Sequence, residues 1–259
     1  MAEPRSGVAI VTGASRGIGR ATAIRLAADF AAVTLVARDA GGLDTAATAI
    51  RAAGAEALPL PRDLREPDAA KRVVGQTIDR FGRIDALVNV AGAVPQTDLF
   101  AMTDSEWDDG LSLKFHGARR LTLAAWDALK QSRGAVVLTS GATALAPKAS
   151  LAAVATINAA ISALAKAFSE RGVSEGVQVN SVLPGPVLTD RRRAMVAKFA
   201  TAHSLSAQDA MQQFAVQAGI SRFGRPEEIA ELIAFLVSPA ARWMTGAAVR
   251  MDGGEATAI

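Results

Sequence analysis

The sequence predicts an α/β protein: a single doubly wound domain over 1–259, with a central parallel sheet of about seven strands and helices on both faces. Short β-branched or apolar runs alternate with longer Ala-rich stretches of helical period. No low-complexity linker, internal repeat or charge block interrupts that alternation. Half of the 259 residues are apolar, enough to bury one substantial core without dividing the chain.

The units follow in order. VAIVTG, from Val8, reads as the first strand, with a helix over 17–29 behind it. AAVTLVA, from Ala31, pairs with a helix over 41–53, and AEALPL, from Ala55, with a helix over 67–81. IDALVNVAG, from Ile84, is the fourth strand and leads to a helix over 105–131. GAVVLTSG, from Gly134, precedes a helix over 151–171. VQVNSVLPG, from Val177, is the sixth strand; the stretch 185–206 after it reads as irregular, and helices follow over 207–218 and 226–236. AAVRMDGG, from Ala247, closes the sheet.

Composition narrows the function. A formal charge of +3 is small for this length, and the basic residues are scattered, so nucleic acid is not an expected partner. There is no cysteine, which excludes disulfides, thiolate metal sites and cysteine nucleophiles. Only His116 and His203 offer imidazole; both read as surface or interface residues, and no metal is expected. Glu3 and Pro4 precede the first strand and do not suit a signal peptide, and no apolar run reaches membrane-spanning length, so a cytoplasmic protein without a membrane partner is expected. Trp107, Trp126 and Trp243 read as packing residues.

The first strand ends in Thr12-Gly13-Ala14-Ser15-Arg16-Gly17-Ile18-Gly19, and a helix follows at once. In this TGxxxGxG spacing the glycines permit a tight turn and close backbone approach, while the helix amino terminus faces a pyrophosphate. In a doubly wound, Rossmann-type sheet the ligand crevice lies beyond the carboxyl ends of the strands, where this loop falls.

Further motifs occupy the other strand ends: Asp63-Leu64, Asn89-Val90-Ala91-Gly92, Pro184-Gly185-Pro186-Val187-Leu188-Thr189, and the closing GRPEEIAELIAFLVSP and TGAAVRMDGG. In this order, and over almost the whole chain, the sequence resembles the short-chain dehydrogenase/reductase family, in particular its 3-oxoacyl-carrier-protein reductase-like members. The resemblance implies that Gly13, Ser15, Arg16, Gly17, Ile18 and Gly19 bind the dinucleotide and that Asp63 and Leu64 hold its adenine. It further implies that Asn89, Ala91 and Gly92 support the sheet at the site, and that Pro184, Gly185, Val187 and Thr189 cover the nicotinamide amide. Val90 departs from the family motif, with an effect expected on packing only.

Charge argues the choice of dinucleotide. An acid at the end of the second strand would repel the extra phosphate of NADP, but by resemblance that position is Ala37, followed by Arg38. Arg38 and Arg16 can clamp a phosphate, so NADP(H) is favoured over NAD(H). Asp39 complicates this, and both arginines also read as ordinary solvated charges.

The family's chemistry uses an Asn, a Ser, a Tyr and a Lys. The matching positions here are Lys114, Gly141, Val154 and Asn158, and no shift of register helps, because the chain contains no tyrosine. Ser140 adjoins the empty serine position and Thr143 is near it. A positioned proton donor contributes roughly 10²–10⁴-fold to rate, whereas the hydride belongs to the cofactor. Lys114 is the candidate for compensation, with Ser140, Thr143 and Asn158 beside it; otherwise its charge snorkels to solvent. Arg191, Arg192 and Arg193 follow Thr189, in the segment around 189–218 expected to cover the substrate. They suit an anionic substrate group or remain solvated loop charges.

Three readings stay open: an oxidoreductase with unusual residues, acting on an unknown small molecule; an inactive dinucleotide sensor or partner subunit; and a non-redox lyase or hydrolase on the same fold. The resemblance also implies a homo-oligomer, tetramer or dimer, through the helices that carry Lys114 and Asn158.

Overall fold

The computed structural model describes residues 6–257, so Glu3 and Pro4 lie outside the described residues. The chain begins with β1 (Val8–Thr12), α1 (Gly17–Leu26), β2 (Ala32–Ala37), α2 (Ala40–Ala52), β3 (Glu56–Pro61), α3 (Ala69–Phe81) and β4 (Ala86–Asn89). Next come α4 (Asp104–Gly110), a π-helical stretch Leu111–Gly117, α5 (Ala118–Ser132), β5 (Ala135–Thr139) and α6 (Ala152–Glu175). It ends with β6 (Gln178–Pro184), α7 (Asp190–Ala202), α8 (Ala207–Gln217), α9 (Pro226–Val237) and β7 (Ala248–Met251).

The strands form one parallel sheet in the order β3-β2-β1-β4-β5-β6-β7. Side chains alternate across it. Ala9, Val11 and Val33 face a core shared with Leu26 of α1, Leu43 of α2 and Ile233 of α9. Ile10, Leu87 and Val136 face a second core shared with Val73 of α3, Leu121 of α5 and Ile161 of α6. Burial on both faces is why the strands read as unbroken apolar runs. Truncating Leu121 or Ile161 to Ala would cost about 2–5 kcal/mol.

The order reverses between β1 and β4, and the loops leaving these strands part there to open a crevice. Thr12 ties the two together, its hydroxyl accepting from the amides of Val90 at 2.9 Å and Ala91 at 3.0 Å.

Four sequence expectations need correction. The stretch 185–206, expected to be irregular, contains α7: Thr189 caps it by accepting from the Arg192 amide at 3.4 Å, and Val196 and Ala200 bury against Ala210 of α8. The expected helix 105–131 runs through α4 and α5 but is interrupted by the π-helical stretch. Trp107 and Trp126 pack, the latter donating to Glu175 at 2.5 Å, but Trp243 is 99% exposed. Finally, α6 together with the turn before it is long and apolar enough by composition to cross a membrane, contrary to the expectation that no segment is. Its Ile161 and Ala165 face lies in the core with β5 and β6, and its exposed side includes Glu170 and Arg171.

Candidate active site

The glycine loop shapes one end of a crevice of about 370 Å³. Gly13 has φ +66°, and a Cβ on it would lie 3.1 Å from the Ala91 backbone; a Cβ on Gly19 would lie 2.2 Å from the Gly13 carbonyl. Arg16 precedes α1 without a side-chain cap, so the first amides of the helix keep their donors for a ligand. Ser15, Arg16, Gly17 and Ile18 line the same wall. Arg38, Asp63 and Leu64 line the far end, and Ala91, Gly92 and Thr189 the near end.

The other expected dinucleotide residues stand behind this wall. Asn89 is buried and donates to the Thr122 hydroxyl at 3.3 Å, bracing β4 against α5. Pro184 ends β6, Gly185 lies so close to Asp252 that a Cβ there would approach its Cα to 2.6 Å, and Val187 is buried beside Gly224. These residues shape the loop that carries Thr189 into the crevice.

Asp39 lines the same end of the crevice, beside Arg38. It caps α2, accepting from the Gly42 amide at 3.2 Å. Asp63 accepts from the Arg65 amide at 3.0 Å and from its guanidinium at 3.3 Å, and lies 3.8 Å from Arg38. Arg62, which the sequence argument passed over, joins Arg16 and Arg38 in the lining.

Lys114 rises from the π-helical stretch, whose stray carbonyls are met by Arg120: the guanidinium donates to His116 O at 3.2 Å and Ser112 O at 3.4 Å. The lysine stem crosses Gly92, where a Cβ would come within 3.0 Å of Lys114 Cδ. The ammonium donates to Ser140 O at 3.1 Å and to Asn158 Oδ1, and no carboxylate lies within ion-pair distance of it among the described residues. Burial pushes it down to about 8. The snorkelling alternative is set aside by these contacts.

Asn158, buried on α6, uses both ends of its amide. Its oxygen holds the ammonium, and its nitrogen donates to Thr143 Oγ1 at 2.8 Å. The amide fills the space at Gly141, where a Cβ would lie 2.5 Å from Asn158 Nδ2. The two hydroxyls near Gly141 differ. Ser140 donates to Asn158 O at 2.7 Å and accepts from Ser162 at 3.0 Å, so its hydroxyl is committed to α6 and only its carbonyl serves Lys114. Thr143 accepts from Asn158 and donates to no protein group among the described residues, leaving its proton for another acceptor. Val154 packs with Val94 and Ile157 in an apolar cluster beside them.

His116 is half-buried rather than on the surface: its Nδ1 is buried without a partner, and burial followed by the charges of Arg119 and Arg120 holds its pKa below the usual range. His203 is exposed and stacks on Phe199 at 4.1 Å. The arginine run belongs to the first turn of α7 rather than to a loop, and Arg191 reaches across the crevice mouth to Val94 O at 3.3 Å. Burial lowers the pKa of Arg192.

Comparison with known proteins agrees with this geometry. Residues 13–255 match the family described as enoyl-(acyl carrier protein) reductase. The short-chain reductase protein NovJ of Streptomyces niveus is 34% identical over 255 residues, covering 98% of this chain and 96% of that protein. The 3-oxoacyl-(acyl-carrier-protein) reductase of Synechocystis sp. is 33% identical over 250 residues, covering 95% and 96%. The L-sorbose reductase of Gluconobacter frateurii, solved with NADPH and L-sorbose, superposes with a TM-score of 0.94 at 28% identity over 98% of both chains.

Proposed function

Because this chain belongs to the short-chain dehydrogenase/reductase family of oxidoreductases, we propose that it binds NADP(H) and interconverts a small-molecule carbonyl and alcohol with Lys114, not a tyrosine, handling the proton. The observation that carries this reading is the Lys114 ammonium, held between Ser140 O and Asn158 Oδ1 at the end of a stem that crosses Gly92 of the crevice wall, with burial pushing its pKa down to about 8. The crevice suits a dinucleotide: uncapped amides of α1 meet its pyrophosphate, and Arg16 and Arg38 meet a ribose phosphate. The NADPH found with the L-sorbose reductase supports the same choice.

The nicotinamide, when bound, supplies or accepts the hydride. Thr143 offers its unused proton to the substrate oxygen, and Asn158 holds that hydroxyl in place. In reduction, Lys114 gives a proton to the oxygen as negative charge develops there, and its amine regains one from solvent; in oxidation, the neutral amine takes the alcohol proton. Assembly with further copies through the outer Ala-rich face of α6 belongs to this proposal.

Val154 supports a second reading. It fills the usual acid position with an apolar side chain, which suits a dinucleotide sensor or a non-catalytic partner subunit. Calorimetric titration with NADPH and NADH, followed by nicotinamide absorbance with a panel of ketones and acyl-carrier mimics, separates the two. Turnover abolished by Lys114→Ala supports the enzyme, tight binding without turnover supports the sensor, and no binding overturns both.

A further inference from the structure

We propose that Arg62 is a specificity-determining residue for the coenzyme: a third guanidinium, beside Arg38 and Arg16, that receives the phosphate on the adenosine ribose. This rests on the NADP(H) reading above. The strands bring Arg38 and Arg62 out together. β2 and β3 pair in parallel with Ala37 opposite Pro61, and the Arg62 amide continues the ladder by donating to Ala37 O at 2.9 Å. Neighbouring strands lie about 4.8 Å apart, so the next residue of each strand end enters the same corner of the crevice. Arg16 faces that corner from the glycine loop, and all three line the cavity.

The acids in this corner have partners other than Arg62, and Asp63 also lies 3.8 Å from Arg38. Asp39 is bound to the amino terminus of α2, and Asp63 is held by the amide and guanidinium of Arg65, which also forks onto Asp109 at 2.6 Å and 2.9 Å. Neither carboxylate lies within ion-pair distance of Arg62.

Arg62 itself is under-used. Its Nε is buried without an acceptor, and its Nη1 donates to the carbonyl of the preceding Pro61 at 3.0 Å. A buried donor without an acceptor calls for an explanation, and a planar fork beside a second guanidinium matches the oxygens of a phosphate. In this account the side chain rests against its own backbone and turns into the crevice when a phosphate arrives. An unphosphorylated ribose offers it no anion.

The test is calorimetric titration of the wild-type protein, Arg62→Met and Arg62→Lys with NADPH and with NADH, at low and moderate salt. Met keeps an unbranched stem as far as the position of Nε and removes the guanidinium and its charge. Arg62→Met is expected to weaken NADPH by about tenfold or more and NADH by less than about twofold, with Arg62→Lys falling between. The NADPH loss should shrink as salt rises. A wild type that prefers NADPH, with the preference intact in Arg62→Met, would overturn the role of Arg62 and leave the NADP(H) reading standing. Equal losses for both coenzymes would do the same. A wild type that binds NADH as well as NADPH overturns the NADP(H) reading and this inference together. Unfolding midpoints without coenzyme show whether each variant is folded.

Discussion

Replacing Lys114 by Met removes a charge that the folded protein holds at a cost, and the size of that cost follows from the site. The ammonium has two neutral oxygens around it, Ser140 O and Asn158 Oδ1, and no opposing carboxylate; burial lowers its pKa from the ordinary 10.5 to about 8. That fall is worth about 3 kcal/mol at 1.36 kcal/mol per pH unit. The sign is set by the depressed folded value. Below about pH 8 both folded and unfolded chains carry the charge and the cost is fully present; between about 8 and 10.5 the unfolded chain binds more protons, so stability rises with pH. Met at this position has no such slope, although it leaves the two oxygens without a donor, a constant penalty of about 1–3 kcal/mol. Urea unfolding of both proteins without coenzyme, from pH 7 to about pH 10, should therefore show the wild type gaining most of about 3 kcal/mol relative to Lys114→Met. The same group predicts that carbonyl reduction falls, and alcohol oxidation rises, as pH passes through about 8. A stability difference that is flat across this interval would refute the buried-ammonium account.

Other outcomes follow from the same contacts. Thr143→Val should lower kcat/KM by about ten- to a hundredfold while leaving NADPH affinity unchanged, and Thr143→Ser should keep most of the activity; steady-state kinetics with calorimetry decide this, and an unimpaired Val variant removes Thr143 from the site. Gly141→Ser should destabilise the protein by about 1–3 kcal/mol because its Cβ meets Asn158. Wild-type stability in chemical unfolding would show that the amide moves aside freely. Asp39→Ala should lose about 1 kcal/mol with its cap, and the ratio of NADPH to NADH affinity should not change. A shifted ratio would place the Asp39 carboxylate at the ribose after all.

Sequence patterns made the sheet and the glycine loop legible because both depend on local spacing. The rest depends on partners distant in sequence. α7 was hidden because its apolar face is narrow: Val196 and Ala200 bury only once α8 folds back onto them. Ser140 looked as good a hydroxyl as Thr143 until the carbonyl of Asn158 claimed it. Asp39 could not be placed from charge alone, yet an Asp followed three residues on by the Gly42 amide at a helix start was a cap signal in plain view. Arg62 carried a signal of its own, a basic residue directly before Asp63 at a strand end in this crevice. The exposure of Trp243 had none, since a tryptophan beside a helix usually packs.

The close fit between Gly141 and Asn158 also bears on which single substitutions this site accepts. Serine at 141 collides with the amide already there. Lysine at 158 puts a second ammonium against Lys114, where no carboxylate lies within ion-pair distance among the described residues. Either of these two substitutions, made alone, is therefore expected to give a less stable protein than the one it starts from. Serine at 141 and lysine at 158 are therefore each expected to need a compensating change nearby, a smaller residue at 158 or a carboxylate beside Lys114, before the site accepts them.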